Sequence, residues 1–207
     1  KSSTFRYLAA LEARRYVERH PEDSTYRLGV AFRQRDARTI ERLTELARPS
    51  LERLRDQLGE TTNLATLDGA HIVYLAVAES PHMMRLAARE GERGHVHSTA
   101  IGKAMCASLR EERVRALLDT AGMPRFTNAT LTDVDAYLAE LARTRERGYG
   151  LDEEENQPSG RCVAVAIPNL PVPAAVSVSA PADRLPRDQL PTVVRQLQRL
   201  ARTLSRQ

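Results

Sequence analysis

The sequence predicts an α+β protein in which helices cover the faces of an antiparallel sheet. Two observations support this class. Short apolar or alternating runs are joined by turn residues, above all Asp68-Gly69, the strongest hairpin signal in the chain. Other segments repeat apolar residues every three or four positions, as amphipathic helices do. With 207 residues, of which 42% are hydrophobic and 28% charged, the chain has enough apolar material for a core and is not predicted to be disordered.

The first 32 residues predict a helix followed by a short hairpin. Residues 2–4 (Ser-Ser-Thr) suit a helix start, and apolar residues follow at helical spacing. Two β-type runs, at 16–18 and 26–28, flank a turn-rich segment at 20–24. A helix with an arginine-bearing hairpin is typical of the second half of a winged helix-turn-helix, whose helix enters the major groove of DNA. The two helices that precede it in that motif are not in this sequence. If the protein truly lacks them, we expect that this fragment does not bind DNA as it stands.

Residues 33–58 form a long helical pattern with an apolar seam, which is typical of a helix that packs against a partner helix. Proline is not tolerated in a helix interior, so we expect Pro49 to divide the pattern into two helices. Gly59 is expected to end it. The sequence therefore predicts three parts: a partial DNA-binding domain at 1–32, a linker helix at 33–48 and a sensor-like domain at 49–207.

The third part alternates strand and helix signals. Residues 90–97 are punctuated by glycine and are predicted to form a loop, and the last helix has a strongly amphipathic pattern. Antiparallel hairpins with helices stacked on them define an α+β domain. We expect strands at 62–67, 70–78, 83–88, 149–152, 161–167 and 174–179, and helices at 99–107, 111–120, 133–147 and 187–206.

The charge of the chain is concentrated at its beginning. The first 35 residues hold eight basic and four acidic side chains, a net charge of +4, which equals the formal net charge of all 207 residues. A basic end on a balanced body is typical of contact with a polyanion, although an ordinary solvated surface explains it equally well. No apolar run approaches 18 residues, so no membrane span is expected. The two cysteines, Cys106 and Cys162, predict free thiols in a reducing cytoplasm.

Several polar side chains are candidates for a ligand site. The segment 98–103 opens a helix after a loop, and free backbone amides at a helix start attract anions. Ser177 and Ser179 alternate with valines, so both hydroxyls lie on one face of a strand. Asp152 and Cys162 lie in other short strands. If these groups converge, they can bind a small carboxylate, but each also has an ordinary role as a helix cap, a backbone hydrogen bonder or a small apolar side chain.

Nothing in the sequence assembles a catalytic or metal site. The Gly102-Lys103 pair lacks the earlier glycine of a phosphate-binding loop, because position 97 is a histidine. Cys106 lies near His95 and His97 in sequence, but a nucleophile also needs a base within hydrogen-bond reach. His95 and His97 have no second cluster of ligands, so we expect surface loop histidines. We predict neither an enzyme, nor a cofactor, nor a metal.

Six phrases of the sequence carry a family resemblance. They are KSSTFRYLAALEARRYVER…STYRLG within 1–29, RPSLERLRDQLGETTNLATLDGAHIVYLA at 48–76, HVHSTAIGKAMCASL at 95–109, FTNATLTDVDAYLAELARTRERGYGLDEEE at 126–155, RCVAVAIPN at 161–169 and AAVSVSAP at 174–181. In this order they resemble the IclR family of bacterial transcriptional regulators, and the likeness covers essentially the entire chain.

The resemblance implies a winged helix-turn-helix joined by a linker helix to a GAF-like effector domain with a central antiparallel sheet. Members bind small organic acids, often catabolic intermediates, and assemble as homodimers or dimers of dimers. The family's effector-binding positions correspond here to Thr99, Ala100, Ile101, Asp152, Cys162, Ser177 and Ser179. DNA contacts are expected from Ser2, Ser3, Thr4, Arg6 and Tyr7 in the groove, and from Arg19 and Arg27 on phosphate.

These expectations combine into a functional prediction. The protein is predicted to be a cytoplasmic, ligand-responsive transcriptional regulator of a catabolic operon, with operator DNA and a small organic acid as partners. The alternative is a small-molecule sensor domain that acts through protein contacts without binding DNA. Specific, salt-dependent retardation of operator DNA separates the two, because only the first function requires phosphate contacts.

Overall fold

The computed structural model describes residues 2–14, 16–19, 25–28 and 30–206. Contacts within the chain divide it into two compact units, Lys1–Leu43 and Thr44–Gln207. The predicted turn at 20–24 lies outside the described residues. Among the residues that are described, no helix has the length and apolarity needed to cross a bilayer.

The first unit contains the predicted helix and hairpin. Helix α1 spans Ser2–Ala13, and strands β1 (Val17–Arg19) and β2 (Tyr26–Leu28) pair in antiparallel fashion, with Val17 opposite Leu28. The amide of Tyr16 donates to the carbonyl of Leu11 (2.9 Å), which closes the turn between the helix and the hairpin.

Helix α2 runs unbroken over Val30–Leu58, so the predicted division at Pro49 is wrong. Pro49 is exposed, while Ala47, Leu51 and Leu54 on either side of it are buried. The burial of this apolar seam outweighs the hydrogen bond that proline cannot donate. The helix ends as expected at Gly59, which has a φ of 72° and donates its amide to the carbonyl of Arg55.

The second unit is built on one six-stranded antiparallel sheet, as the sequence predicts. The order of its strands across the sheet is β5-β4-β3-β8-β7-β6, so the first and last thirds of the unit meet at the central pair β3 and β8. The strands are β3 (Thr61–Asp68), β4 (His71–Ala78), β5 (Arg93–His95), β6 (Gly150–Glu153), β7 (Gly160–Ala166) and β8 (Ala174–Pro181).

The strand predicted at 83–88 is wrong, and the loop predicted at 90–97 contains the edge strand β5 instead. In the segment 83–88, backbone carbonyls bond to side chains rather than to a neighbouring strand. The Thr61 hydroxyl donates to the carbonyl of Leu86 (2.8 Å), and the Arg184 guanidinium donates to that of Met84 (2.9 Å). Because the edge of β4 pairs with β5, no ladder remains there for a strand at 83–88.

Helices cover both faces of the sheet. Helices α3 (Ala100–Cys106), α4 (Glu111–Ala121) and α5 (Val134–Arg147) share a core with one face, and every residue of α3 is buried. The second half of α2 and helix α6 (Leu190–Leu204) cover the other face. The Thr62 hydroxyl of β3 donates to the carbonyl of Leu51 in α2 (2.8 Å), so even-numbered residues of β3 point away from α3.

Helix α3 lies unusually close to strand β6. A Cβ atom at Gly150 would lie 2.2 Å from the Ala100 carbonyl oxygen and 2.8 Å from the Ala104 nitrogen. A Cβ atom at Gly102 would lie 2.5 Å from the backbone of Val96. These two glycines let the start of α3 approach the sheet beside the end of β6, and the functional candidates of both elements meet there.

Candidate ligand-binding site

A row of four polar side chains crosses the sheet beside the start of α3. Asp152 of β6 lies opposite Cys162 of β7, Cys162 lies opposite Ser179 of β8, and Ser179 lies opposite Thr61 of β3. Residues paired across neighbouring strands point to the same face of the sheet. Three consecutive strands and the distant strand β3 thus place two hydroxyls, a thiol and a carboxyl in one line.

A β-bulge adds an aromatic side chain to this face. The pairing of β3 with β4 shifts by one residue between Leu64 and Ala65, so that Tyr74 lies opposite Ala65. A shift of one residue exchanges the two faces of a strand. Tyr74 consequently points to the same side as the polar row, where regular pairing would have directed it to the other side.

The row forms the floor of a cavity. Thr99 and Ile101 contribute from the start of α3, the segment 86–88 closes one side, and the turn between β6 and β7 closes another. The cavity volume is about 50 Å³, which is room for only a few water-sized groups. The lining residues are Thr61, Asn63, Tyr74, Leu86, Ala87, Ala88, Thr99, Ile101, Asp152, Asn156, Gln157, Gly160, Cys162 and Ser179.

Five of the seven predicted effector-binding residues lie on this cavity: Thr99, Ile101, Asp152, Cys162 and Ser179. Ala100 and Ser177 do not line it. Ala100 is fully buried, and its carbonyl oxygen lies against Gly150. Ser177 is also buried; it lies two residues before Ser179 on the same face of β8, opposite Asn63.

Asn63 organises the hydroxyls of the floor, and the sequence analysis missed it. Its side-chain Nδ2 donates to Oγ of both Ser177 and Ser179 (3.1 Å each). The Sγ atom of Cys162 also contacts Oγ of Ser179 (2.7 Å). Asn63 is 1% exposed and is the one amide side chain of β3, whose other polar residues are three threonines and Asp68. That isolated amide in a buried strand was the signal available in the sequence, since a buried polar group needs a partner.

Asp152 is the main electrostatic feature of the cavity. It is 6% exposed, and its Oδ1 accepts the backbone amides of Glu155 (2.8 Å) and Asn156 (3.3 Å). Burial raises the pKa of this carboxyl to about 7, because the two amide hydrogen bonds only partly offset the loss of solvation. Burial and the neighbouring Asp152 also raise the pKa of the Cys162 thiol to about 12, so this cysteine stays protonated.

A buried ion pair supports the turn that follows Asp152. The Lys103 ammonium of α3 is fully buried and donates to the Glu155 carboxylate and to the carbonyl of Leu151 (2.8 Å). The hydroxyl of Thr130 donates to the backbone carbonyl of Glu155 (2.6 Å). These contacts hold the turn over the end of β6. They also pair the positive charge of Lys103 with Glu155, so that it is not available to a ligand.

The histidines expected at the surface are partly buried, which corrects that prediction. His97 is fully buried and its Nε2 lies 3.0 Å from the Pro124 carbonyl, while the rings of His71 and His95 pack edge to face. Burial lowers the pKa of His97, which favours the neutral ring. Among the described residues, no group of three acidic, histidine or cysteine side chains can hold a metal ion. Burial also raises the pKa of the Cys106 thiol to about 11, which leaves it a poor nucleophile.

The predicted DNA-contacting residues lie in the first unit. Ser2 to Tyr7 form the beginning of α1, where Thr4, Arg6 and Tyr7 are exposed, and Tyr7 is 72% exposed. Arg19 lies at the end of β1 and is exposed, and Arg27 lies in β2. The helix and the hairpin therefore carry the residues that the sequence assigns to the groove and to phosphate.

Known proteins resemble the whole of this chain. Residues 38–206 match the family described as "Bacterial transcriptional regulator IclR C-terminal". The chain is 37% identical over 210 residues to the HTH-type transcriptional regulator XynR of Escherichia coli K12. The alignment covers 100% of this chain and 83% of the relative. The crystal structure of Thermotoga maritima IclR superposes with a TM-score of 0.75 at 28% identity, over 99% of this chain and 84% of that chain.

A further solved structure contains a small molecule. It is a double mutant of the inducer-binding domain of PobR from Acinetobacter in complex with 3-hydroxybenzoic acid, with a TM-score of 0.70 at 25% identity over 78% of this chain and 97% of that chain. These similarities define the class of the protein as a transcriptional regulator and confirm that it is not an enzyme. The chain belongs to the IclR family of bacterial transcriptional regulators.

Proposed function

We propose that this regulator binds a small organic acid in the cavity beside α3 and changes its binding to operator DNA in response, as a homodimer or dimer of dimers controlling a catabolic operon. The single observation that carries the proposal is the polar row across β6, β7, β8 and β3. A buried row of hydroxyl, thiol and carboxyl groups beside an empty volume is costly unless a polar ligand uses it.

The cavity supports a short acid as the ligand. The PobR domain holds a hydroxy acid of aromatic size. The cavity here has a volume of only about 50 Å³ and a floor of small polar groups. A ligand with few heavy atoms and several oxygens fits such a space and such donors.

Helix α1 and the hairpin support DNA binding. The basic excess of the chain lies in its first 35 residues, and the exposed Arg6 and Arg19 belong to these elements. Arginine contacts to phosphate position a recognition helix, and two copies in a dimer read a palindromic operator.

A thermal-shift screen tests the ligand. We expect glycolate, lactate or pyruvate to raise the Tm of the wild-type protein, and we expect the double variant Ser177→Ala, Ser179→Ala to lose that shift. The Tm of this variant without ligand should also fall, because the buried Asn63 amide loses both of its acceptors. Ser108→Ala is the matched control, because its hydroxyl is exposed and bonds only locally to the carbonyl of Met105. An unaltered ligand shift in the double variant would show that the acid binds elsewhere.

A gel-shift titration of the full-length regulator on DNA upstream of its own gene tests the response. We expect retardation that weakens with salt and that changes when the stabilising acid is added. Absence of specific retardation at low salt would favour the alternative, a sensor domain that acts through protein contacts.

A further inference from the structure

The cavity contains a carboxyl group but no positive charge. Of the described residues that line it, none is a lysine, an arginine or a histidine. Lys103 is the nearest ammonium group, and it is already bound by Glu155 and the Leu151 carbonyl. An anion that enters this space therefore meets the buried side chain of Asp152 without a counter-ion, and two like charges in a dry site repel strongly.

Asp152 has one carboxyl oxygen free to meet a ligand. Its Oδ1 accepts the amides of Glu155 and Asn156, and no donor from the described residues reaches Oδ2. A protonated Oδ2 can donate to a carboxylate, whereas an ionised one can only repel it.

The titratable and charged groups around Asp152 do not change their own charge near neutral pH. Tyr74 of β4 and Cys162 of β7 stay neutral, because burial raises the pKa of both side chains. Glu155 in the adjoining turn is paired with Lys103 of α3. Asp152 is thus the group that can change its charge when an anion arrives.

Ser179 supplies the second donor. Its Oγ accepts Nδ2 of Asn63 (3.1 Å) and lies 2.7 Å from the Cys162 thiol, which keeps its proton and can donate to the same oxygen. With both acceptor positions of the hydroxyl used, the Ser179 proton is left to point into the cavity. Ser179 and protonated Asp152, on either side of Cys162 in the row, thus each offer one donor, and a carboxylate has two oxygens that accept.

We propose that the cavity selects monocarboxylic acids and that each acid binds together with one proton, held between its carboxylate and Asp152. This inference rests on the proposed function, because it specifies the ligand of the same site. A second carboxylate in the ligand would remain charged without a partner, so dicarboxylates of similar length are excluded.

Titration calorimetry of the wild-type protein with glycolate, lactate and pyruvate at pH 6 and pH 8 tests the inference. These acids are fully ionised at both pH values, so a change in affinity reports the protein. We expect the Kd to rise about 10-fold from pH 6 to pH 8, as Asp152 loses its proton around pH 7. Titrations at pH 8 in phosphate and in Tris, whose ionisation enthalpies differ, should show uptake of close to one proton per acid. Malonate and succinate should bind at least about 10-fold more weakly than the monocarboxylates.

Asp152→Asn supplies the decisive variant. The asparagine Oδ1 can still accept the two backbone amides, and its Nδ2 can donate to the ligand. We therefore expect acid binding whose Kd no longer depends on pH and which takes up no proton. Glu153→Gln is the matched control, since it changes the next carboxyl of β6, which points to the other face and pairs with Arg187. This control should keep the pH dependence of the wild type.

The outcomes separate the two levels of the proposal. Acid binding with the same Kd at pH 6 and pH 8, or with no proton uptake, overturns this inference and leaves the proposed ligand site standing. The same pH dependence in Asp152→Asn also overturns it. If none of the acids binds at either pH, the organic-acid ligand of the proposed function fails as well.

Discussion

At the scale of single residues, Asn63 determines the direction of the hydrogen bonds in the cavity floor. The amide donates to Ser177 and Ser179, which makes the serine oxygens acceptors and leaves a hydroxyl proton for an incoming acid. A carboxylate at position 63 would reverse this arrangement, because it can only accept and would take the serine protons itself. The choice between an amide and a carboxylate at one buried position therefore decides whether the floor donates to anions.

This reversal predicts the behaviour of Asn63→Asp. We expect the affinity for short monocarboxylic acids to fall at least about 10-fold, since one hydrogen bond to a charged group is worth roughly 1.5–3 kcal/mol and a new buried charge opposes the ligand. Thermal shift and calorimetry at pH 7 measure the loss.

Thr62→Val is the control for Asn63→Asp. Thr62 is the adjacent residue of the same strand, and its buried hydroxyl bonds to Leu51 on the opposite face. We expect this variant to lose about 1 kcal/mol of stability and none of its affinity for acids. If both variants bind acids as the wild type does, the assigned direction of the hydrogen bonds is wrong.

At the scale of elements, the close approach of α3 to β6 places the two walls of the cavity. The Ala100 carbonyl lies where a side chain at Gly150 would have to be. Any larger residue there pushes α3 from the sheet and separates Ile101 and Thr99 from Asp152.

Gly150→Ala should therefore destabilise the protein by about 2–4 kcal/mol and abolish acid binding, because the added methyl group meets rigid backbone. Urea unfolding and the acid-dependent thermal shift measure the two effects. Gly160→Ala is the control for stability alone, because Gly160 itself lines the cavity. Its methyl group would lie 3.1 Å from the end of the Leu86 side chain and 3.2 Å from the Gln157 carbonyl oxygen, both longer than the contacts at Gly150. Equal stability of the two variants would show that the approach of α3 is not constrained by backbone contact.

At the scale of the whole molecule, charge and cavity belong to different units of the chain. The excess of +4 lies in the first 35 residues, and the cavity lies within Thr44–Gln207. Binding of DNA and binding of an acid should therefore respond to different substitutions.

Arg6→Ala and Arg27→Ala test this separation. Each should weaken operator binding and reduce the slope of log affinity against log salt concentration by about 1. The reason is that each variant removes one positively charged side chain that is predicted to contact the DNA. Neither should change the acid-dependent thermal shift. The control Arg202→Ala removes an exposed base of α6 and should change neither measurement. A loss of acid binding in Arg6→Ala would contradict the assignment of DNA binding and acid binding to different units of the chain.

Local patterns predicted most of the fold, and the exceptions have physical causes. The apolar periodicities and the Asp68-Gly69 turn predicted the order of helices and strands because these signals depend on neighbouring residues. Pro49 and the segment 83–88 misled the prediction, because a buried seam carries the helix through the proline and a competing edge strand removes the ladder from 83–88.

The sequence by itself determined the family, the class of fold, the concentration of positive charge and the types of most candidate side chains. Only the tertiary structure decided which of them meet. The row from Asp152 to Thr61 depends on pairing between strands more than a hundred residues apart, and Tyr74 reaches the cavity through a one-residue bulge. Strand register and bulges arise from packing of the whole sheet, and that is why Asn63 and the uncompensated carboxyl of Asp152 became visible only once the chain was folded.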